Sequence, residues 1–326
     1  MLNLSHRDLF VLALSAVVWM PSQEAGAQST KGTSGTMDPP AVLWKDPGAI
    51  GSRDLFWGMG STERAPQGPF TFVEEDGGGT QPKIIVTDAR GVGWEVKFGE
   101  EPKAELAANR FMWATGFAVE EMYYVPTGVV KGAKHAGRAG GHIAEEGNFL
   151  AARFRRNNPE SVRTDDEWTL RENPFVGQKE LSGLKILMTL IANWDIGGTR
   201  NTRVLRITNP DGSIERRYTV TDLGASFGRM GGRLSGHSKW NLEDYTAEGF
   251  IEKVADGELH LDYDGIEPGV DRVPLEHARW FASLLAQLTP EQIRRAFEAA
   301  GASREEIDGF SKRMMEKIAE LQAAVK

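Results

Sequence analysis

Nothing in this chain of 326 residues limits its fold more than three short runs set close together, "GPFTFVEED" (68–76), "PKIIVTD" (82–88) and "GWEVKFG" (93–99). Each is rich in β-branched and aromatic residues, and only the turn signals "GGGTQ" and "ARGVG" separate them. A chain that reverses on such turns pairs its strands antiparallel, so this part reads as a three-stranded meander. Within "WEVKFG" the alternation sets Trp94, Val96 and Phe98 on one face and Glu95 and Lys97 on the other.

A helix follows. Pro102 suits a first helical turn, the residues from Ala104 to Thr115 favour helix, and Gly116 suits the stop. Further strands are expected at 121–126 and 148–156, with a Gly/Lys/His-rich surface loop between them. The alternating charges around 95–101 and in "RFRR" (153–156) read as solvated faces. Beyond Asn157 the pattern turns mainly helical. Leu184, Leu187, Met188 and Ile191 recur at i, i+3, i+4, i+7 in "LSGLKILMTLIANW", a helix that delivers the chain to Asp195. Strands at 203–207 and 216–222 flank the turn "NPDGS", so a hairpin can bring Asp195 and Asp222 together. Near the end, Thr289-Pro290 with Gln292, and Ser303 with Glu306, are helix starts; Ile307, Phe310, Met314, Ile318 and Leu321 then form a core-facing stripe.

The N-terminus has the form of an export signal: Arg7, an apolar run over Leu9–Met20, and the small-x-small triplet Ala25-Gly26-Ala27. The expected organisation is a signal peptide over 1–27, a flexible linker over 28–44, a strand-rich part with one helix over 45–157 and a mainly helical part over 158–326. The mature chain would then be periplasmic or extracellular, with no transmembrane anchor after processing. A formal charge of −8 offers no basic face for nucleic acid.

Two apolar runs end on aspartates, Asp195 and Asp222, and each is followed by turn residues. A carboxylate is costly to desolvate without a partner. With Lys97 on a strand, Glu105 eight residues later on a helix and Asn201 after Asp195, the order is the part list for phosphoryl transfer. It comprises a strand lysine for phosphates, a helix glutamate to pair it, a loop aspartate near the nucleophile, and Asn plus Asp for metal ions. Gly77, Gly78 and Gly79, between the first two strands, would let backbone N–H groups approach phosphate.

In "VKFGEEPKAELAANR", "NWDIGGTRN" and "TVTDLGASFG" the chain resembles the lysine strand, catalytic loop and metal-binding segment of the atypical protein-kinase-like group. That group includes phosphatidylinositol 3/4-kinases, HipA-type kinases and secretory-pathway casein kinases; Trp168, "NPFVGQKEL" (173–181) and "WDIGGTRN" resemble an exported bacterial branch of it. The resemblance implies an α+β, bilobal protein-kinase-like fold. It also implies ATP and Mg²⁺ as cofactors, with Lys97 and Glu105 serving the nucleotide, Asp195 as catalytic aspartate and Asn201 and Asp222 as metal ligands. The acceptor would be a hydroxyl of protein, lipid or glycan. Asn201 stands six residues after Asp195, where the family spacing is five, and Arg200 fills the fifth place. Two alternatives follow: a non-catalytic pseudokinase scaffold, and a metal-dependent hydrolase in which Asp195 and Asp222 share a cation.

Overall fold

The computed structural model describes residues 38–133, 136–196, 199–231 and 236–326. The leader expected at 1–27, and the linker as far as residue 37, lie outside these. The chain divides into Met1–Asp38 and Pro39–Lys326, and every described secondary-structure element lies in the second unit.

The expected linker does not reach residue 44. Strand β1 (Ala41–Val42) runs parallel to a later strand through Ala41↔Arg216, Leu43 is buried, and the Trp44 indole donates to the Thr115 carbonyl at 2.6 Å. The physical reason is apolar area: Leu43 and Trp44 gain more from the core than a tethering role would leave them.

The meander forms as β2 (Phe70–Asp76), β3 (Lys83–Thr87) and β4 (Gly93–Lys97), all antiparallel. Helix α1 (Pro102–Ala114) follows, then β5 (Met122–Lys131) and β6 (Asn148–Arg156). The five strands close into a barrel in the order β2-β3-β4-β6-β5. Its interior is filled by Phe70, Ile84, Val86, Trp94, Val96, Phe98 and Phe154. Strand β5 extends five residues past its expected end at 126 into the supposed surface loop, because Phe70↔Val130 and Val129↔Asn148 pairing closes the barrel there.

Helix α1 is buried on nearly every side, and its Ala104, Leu106, Ala107, Ala108 and Phe111 belong to the larger core with the later helices. It stops at Gly116, whose φ of +94° suits glycine. A Cβ there would also lie 2.2 Å from the Lys45 carbonyl, so the N-terminal segment packs directly on the helix end.

Past residue 157 the chain departs from the mainly helical expectation. Strand β7 (Ser161–Arg163), helix α2 (Lys179–Leu190), β8 (Thr202–Thr208) and β9 (Ile214–Val220) lead to helix α3 (Leu242–Ala247). Then come β10 (Ile251–Ala255), β11 (Glu258–Leu261), β12 (Arg272–Pro274), α4 (Leu275–Leu285), α5 (Pro290–Ala299) and α6 (Arg304–Ala324). Two sheets, β1-β9-β8-β7 and β10-β11-β12, stand among these helices. Strands of three to five residues carry too little alternation to be read singly, and they exist through their partners.

Helix α2 is buried from Leu181 to Leu190 except at Lys185, as a central helix must largely be. It ends at Leu190 rather than at Trp194, because Ala192 turns into the left-handed region at φ +51°. Among the described residues no helix is long and apolar enough to cross a membrane.

Candidate functional site

Lys97 ends β4 on the outer face of the barrel, the face that α1 covers. Its ammonium lies 2.9 Å from Glu105 Oε2, 2.9 Å from Glu101 Oε2 and 3.7 Å from Asp222 Oδ1. Glu101 and Glu105 are one helical turn apart and so present both carboxylates to the same strand end. Burial alone would lower the lysine's pKa, but the carboxylates of Glu105 and Asp222 reverse this and hold it above the ordinary lysine value. Arg153, opposite Lys97 in the β4–β6 register, stands 3.3 Å from the other oxygen of Glu105 and 2.9 Å from Glu95. The expected solvated faces at 95–101 and 153–156 are therefore corrected at Glu95, Lys97, Glu101 and Arg153, which are all buried. Opposite charges on adjacent strands, roofed by one helix, neutralise each other out of water.

Asp222 stands two residues past the end of β9, and the chain after it is pinned. Phe227 adopts φ +59° and is fully buried against Phe111, Trp240, Tyr245, Phe297 and Phe310. A non-glycine residue holds such a backbone only where packing over-determines it. Its N–H donates to the Ile191 carbonyl at 2.8 Å, which ties this segment to the end of α2. The Asp222 side chain is 45% exposed, and it accepts a 3.4 Å hydrogen bond from the Gly224 N–H.

Asp195 is reached from α2 through a second clamp. Asn193, wholly buried, accepts from the Asp195 N–H at 3.0 Å and donates to Ser226 Oγ at 3.0 Å. The two aspartate segments are thus stitched together by one amide. Burial, joined by the nearby charges of Asp222 and Glu101, raises the Asp195 pKa, while Asn201 and Arg200 oppose the rise. A carboxylate so poised is a better proton acceptor near neutrality than an ordinary one.

Asn201 donates its side-chain amide to the Asp195 carbonyl, and its own carbonyl accepts from the Thr221 N–H at 2.9 Å. It therefore sits beside the residue that precedes Asp222. Five expected residues thus gather: Lys97, Glu105 and Asp222 by direct approach, Asp195 by its electrostatic contact with Asp222, and Asn201 by hydrogen bonds to the Asp195 and Thr221 backbones.

The glycines are placed differently. Gly77–Gly79 form an exposed turn beyond Lys83, which pairs with Lys97 across β3–β4, so the turn overhangs the same end of the barrel. Yet Gly78 gives its N–H to Asp76 Oδ1 at 2.8 Å, and Arg138 donates to the Gly79 carbonyl at 2.9 Å. The turn communicates with the site through Gln81, which donates to Glu101 at 3.2 Å.

Among the described residues no three His, Cys, Asp or Glu side chains stand ready around a cation. Magnesium in phosphoryl-transfer sites takes one or two carboxylates and completes its shell with phosphate and water. The half-exposed Asp222 carboxylate is an oxygen donor of that hard kind, and Asn201 is tied to the residue before Asp222 through the Thr221 N–H.

A cleft of about 780 Å³ opens next to this cluster, lined by Gly99, Lys103, Trp194, His237, Lys239 and Trp240 among others. Trp194, the residue before Asp195, stacks on His237 at a centroid distance of 4.4 Å. Lys239 crosses back to Glu101 at 3.0 Å. Sequence reasoning missed Glu101, Arg153, Asn193 and Lys239. Glu101 alone had a local signal, lying four residues from both Lys97 and Glu105.

No protein-family model and no curated protein matches the chain. Among solved structures, a crystal structure of the Golgi casein kinase is similar at 10% identity and a TM-score of 0.41, over 85% of this chain and 82% of that one. A Golgi casein kinase with Mn and ADP bound is similar at 11% identity and a TM-score of 0.35, over 79% and 73%. Likenesses this distant assign no residue of this chain a role.

Proposed function

We propose that this chain binds ATP with Mg²⁺ on a kinase-like framework and transfers the terminal phosphoryl group to a hydroxyl. The observation that carries the reading is the buried Lys97–Glu105 pair held 3.7 Å from Asp222, with Asp195 close enough to feel the Asp222 charge. Phosphoryl transfer asks mainly for fixed positive charge at the phosphates and a carboxylate at the attacking hydroxyl. Lys97, kept charged by its carboxylates, supplies the first. Asp195, raised in pKa and backed by Asn193, suits the second. Asp222 and Asn201 would hold Mg²⁺, which when bound neutralises phosphate charge. The cleft beside Trp194 gives an acceptor its approach to Asp195. Whether that acceptor belongs to a protein, a lipid or a glycan, a chain carrying the leader read at 1–27 would meet it outside the cytoplasm.

A second reading, a scaffold that binds nucleotide without transfer, is favoured by the Gly78 N–H being given to Asp76 and by the Asn201 amide being given to the Asp195 backbone. Two variants separate the readings. Asp222→Ala is expected to abolish Mg²⁺-dependent ATP binding. Asp195→Ala is expected to leave binding near wild type and to remove transfer, a loss of about 3–4 kcal/mol in transition-state stabilisation. Calorimetric ATP titration and an assay of ADP formation read both. A wild type that binds nucleotide and turns over none establishes the scaffold; a wild type that binds none overturns both.

A further inference from the structure

Lys97 has more acceptors than a phosphate-binding lysine can keep. A phosphate oxygen approaching its ammonium competes with Glu101 and Glu105, each at 2.9 Å, and with Asp222. The two glutamates are held unlike each other. Glu105 is fixed from behind by Arg153 at 3.3 Å, and both side chains are 3% exposed. Glu101 has a second set of donors that come from outside the lysine's strand and helix: Lys239 at 3.0 Å and Gln81 at 3.2 Å, both on its other oxygen. The chain immediately after Asp222 is shaped around it. A Cβ at Gly224 would fall 2.7 Å from Glu101 Cβ and 2.8 Å from its Oε2. Four segments therefore converge on one carboxylate: the glycine turn through Gln81, β4 through Lys97, the Asp222 segment through Gly224 and the cleft segment through Lys239.

We propose that Glu101 is a resident competitor for Lys97, which yields the lysine to incoming phosphate by moving its pairing entirely to Lys239 and Gln81. The inference rests on the nucleotide-binding reading above. Glu101 is the partner that gives way because its other donors, Lys239 and Gln81, draw it away from the lysine's strand and its side chain is the more exposed, 11% against 3%, whereas Arg153 holds Glu105 in the buried interior beside Lys97. The exchange has a second consequence. Because coupling between sites is reciprocal, nucleotide at Lys97 tightens the Glu101–Lys239 bridge and so firms the wall of the cleft that holds Trp194, His237 and Trp240. Glu101 is thus a positioning residue that acts through Lys97 on one side and Lys239 on the other.

The test measures Mg·ADP affinity calorimetrically on the full chain in four forms: wild type, Glu101→Gln, Lys239→Met and the double variant. Glu101→Gln is expected to tighten binding by about tenfold, within the range of site-to-site couplings. Lys239→Met, which removes the alternative partner, is expected to weaken it. In the Glu101→Gln background Lys239→Met is expected to change nothing, whereas a mere through-space charge effect would persist there. Binding that is unchanged or weaker in Glu101→Gln overturns the proposal, and a weakening that scales with Mg²⁺ makes Glu101 a metal ligand instead. Should Glu101→Gln fail to fold, Lys239→Met alone decides: unaltered affinity overturns the exchange, and weaker affinity supports it. If the wild type binds no Mg·ADP, the phosphoryl-transfer reading falls and takes this proposal with it, an outcome distinct from binding that ignores Glu101.

Discussion

Lys317 is buried among rings, its ammonium 4.5 Å from the centroid of Tyr245 and 5.9 Å from that of Phe250, with no hydrogen-bond partner among the described residues. Burial, aided by Arg313, brings its pKa down to about 7, against the pull of Glu248, Glu320 and Asp262. The sign follows from linkage. Between about 7 and the ordinary lysine value near 10.5 the unfolded chain binds the proton that the folded chain does not, so this lysine makes stability rise with pH across that window. Below it both states are protonated and the contribution is flat. Lys97 behaves oppositely: with a folded value above the unfolded one, its contribution is full at neutral pH and is lost only in strong alkali. The expected outcome is that Tm climbs from pH 7 to 10 in wild type relative to Lys317→Met, and that the variant is the more stable at pH 7. A Tm series that runs parallel in the two proteins would show that Lys317 does not titrate in this range. Neither lysine's behaviour could be read locally, since what sets it is how many carboxylates or rings the fold brings within a few ångströms.

At the scale of elements, the aspartates are positioned by what their segments are anchored to. Phe227, five residues after Asp222, fixes that segment in the aromatic core while its own backbone is left-handed. Phe227→Ala is expected to cost about 3–5 kcal/mol, the usual range for emptying a buried aromatic site. Urea denaturation measures the loss, and nucleotide binding should weaken as Asp222 loosens. A loss below 1 kcal/mol would mean that the core does not hold this segment. Elements with local signals were legible. The helix starts at Thr289 and Ser303 both form capping boxes, with Gln292 and Glu306 closing them. The meander was legible too, because each strand pairs with its neighbour in sequence. Strands β10–β12 were not. They are three to five residues long, and "IEKVA" is a strand because "ELHL" lies beside it.

For the molecule as a whole, Arg153 joins the barrel to the helix that roofs it, reaching Glu95 on β4 and Glu105 on α1. Arg153→Met would leave two buried carboxylates short of a counter-charge, and removing one partner of a buried pair costs about 3–5 kcal/mol. Chemical denaturation should show that loss together with weaker nucleotide binding, since Glu105 would then answer to Lys97 alone. Unchanged stability would mean that Arg155 and Lys97 suffice to neutralise both carboxylates.

The sequence by itself determined what depends on near neighbours: the meander, α1 with its proline start and glycine stop, the apolar α2, the capped C-terminal helices, and the identity and order of Lys97, Glu105, Asp195, Asn201 and Asp222. Only the tertiary structure decided which charges are buried. The alternation of Glu95, Lys97 and Glu101 and the run at 153–156 look like solvated faces in one dimension. They become a dry network because β4 and β6 lie side by side in the barrel beneath α1. It also decided that residues 41–44 join the core, that β5 runs past 126 to close the barrel, and that Asn193, Glu101 and Lys239 stitch the site together. The physical reason is common to all of these. Periodicity and capping are set by contacts three or four residues away, whereas desolvation and ion pairing depend on groups that the chain brings back from 50 to 150 residues away, as with Arg153 and Glu95 or Lys239 and Glu101.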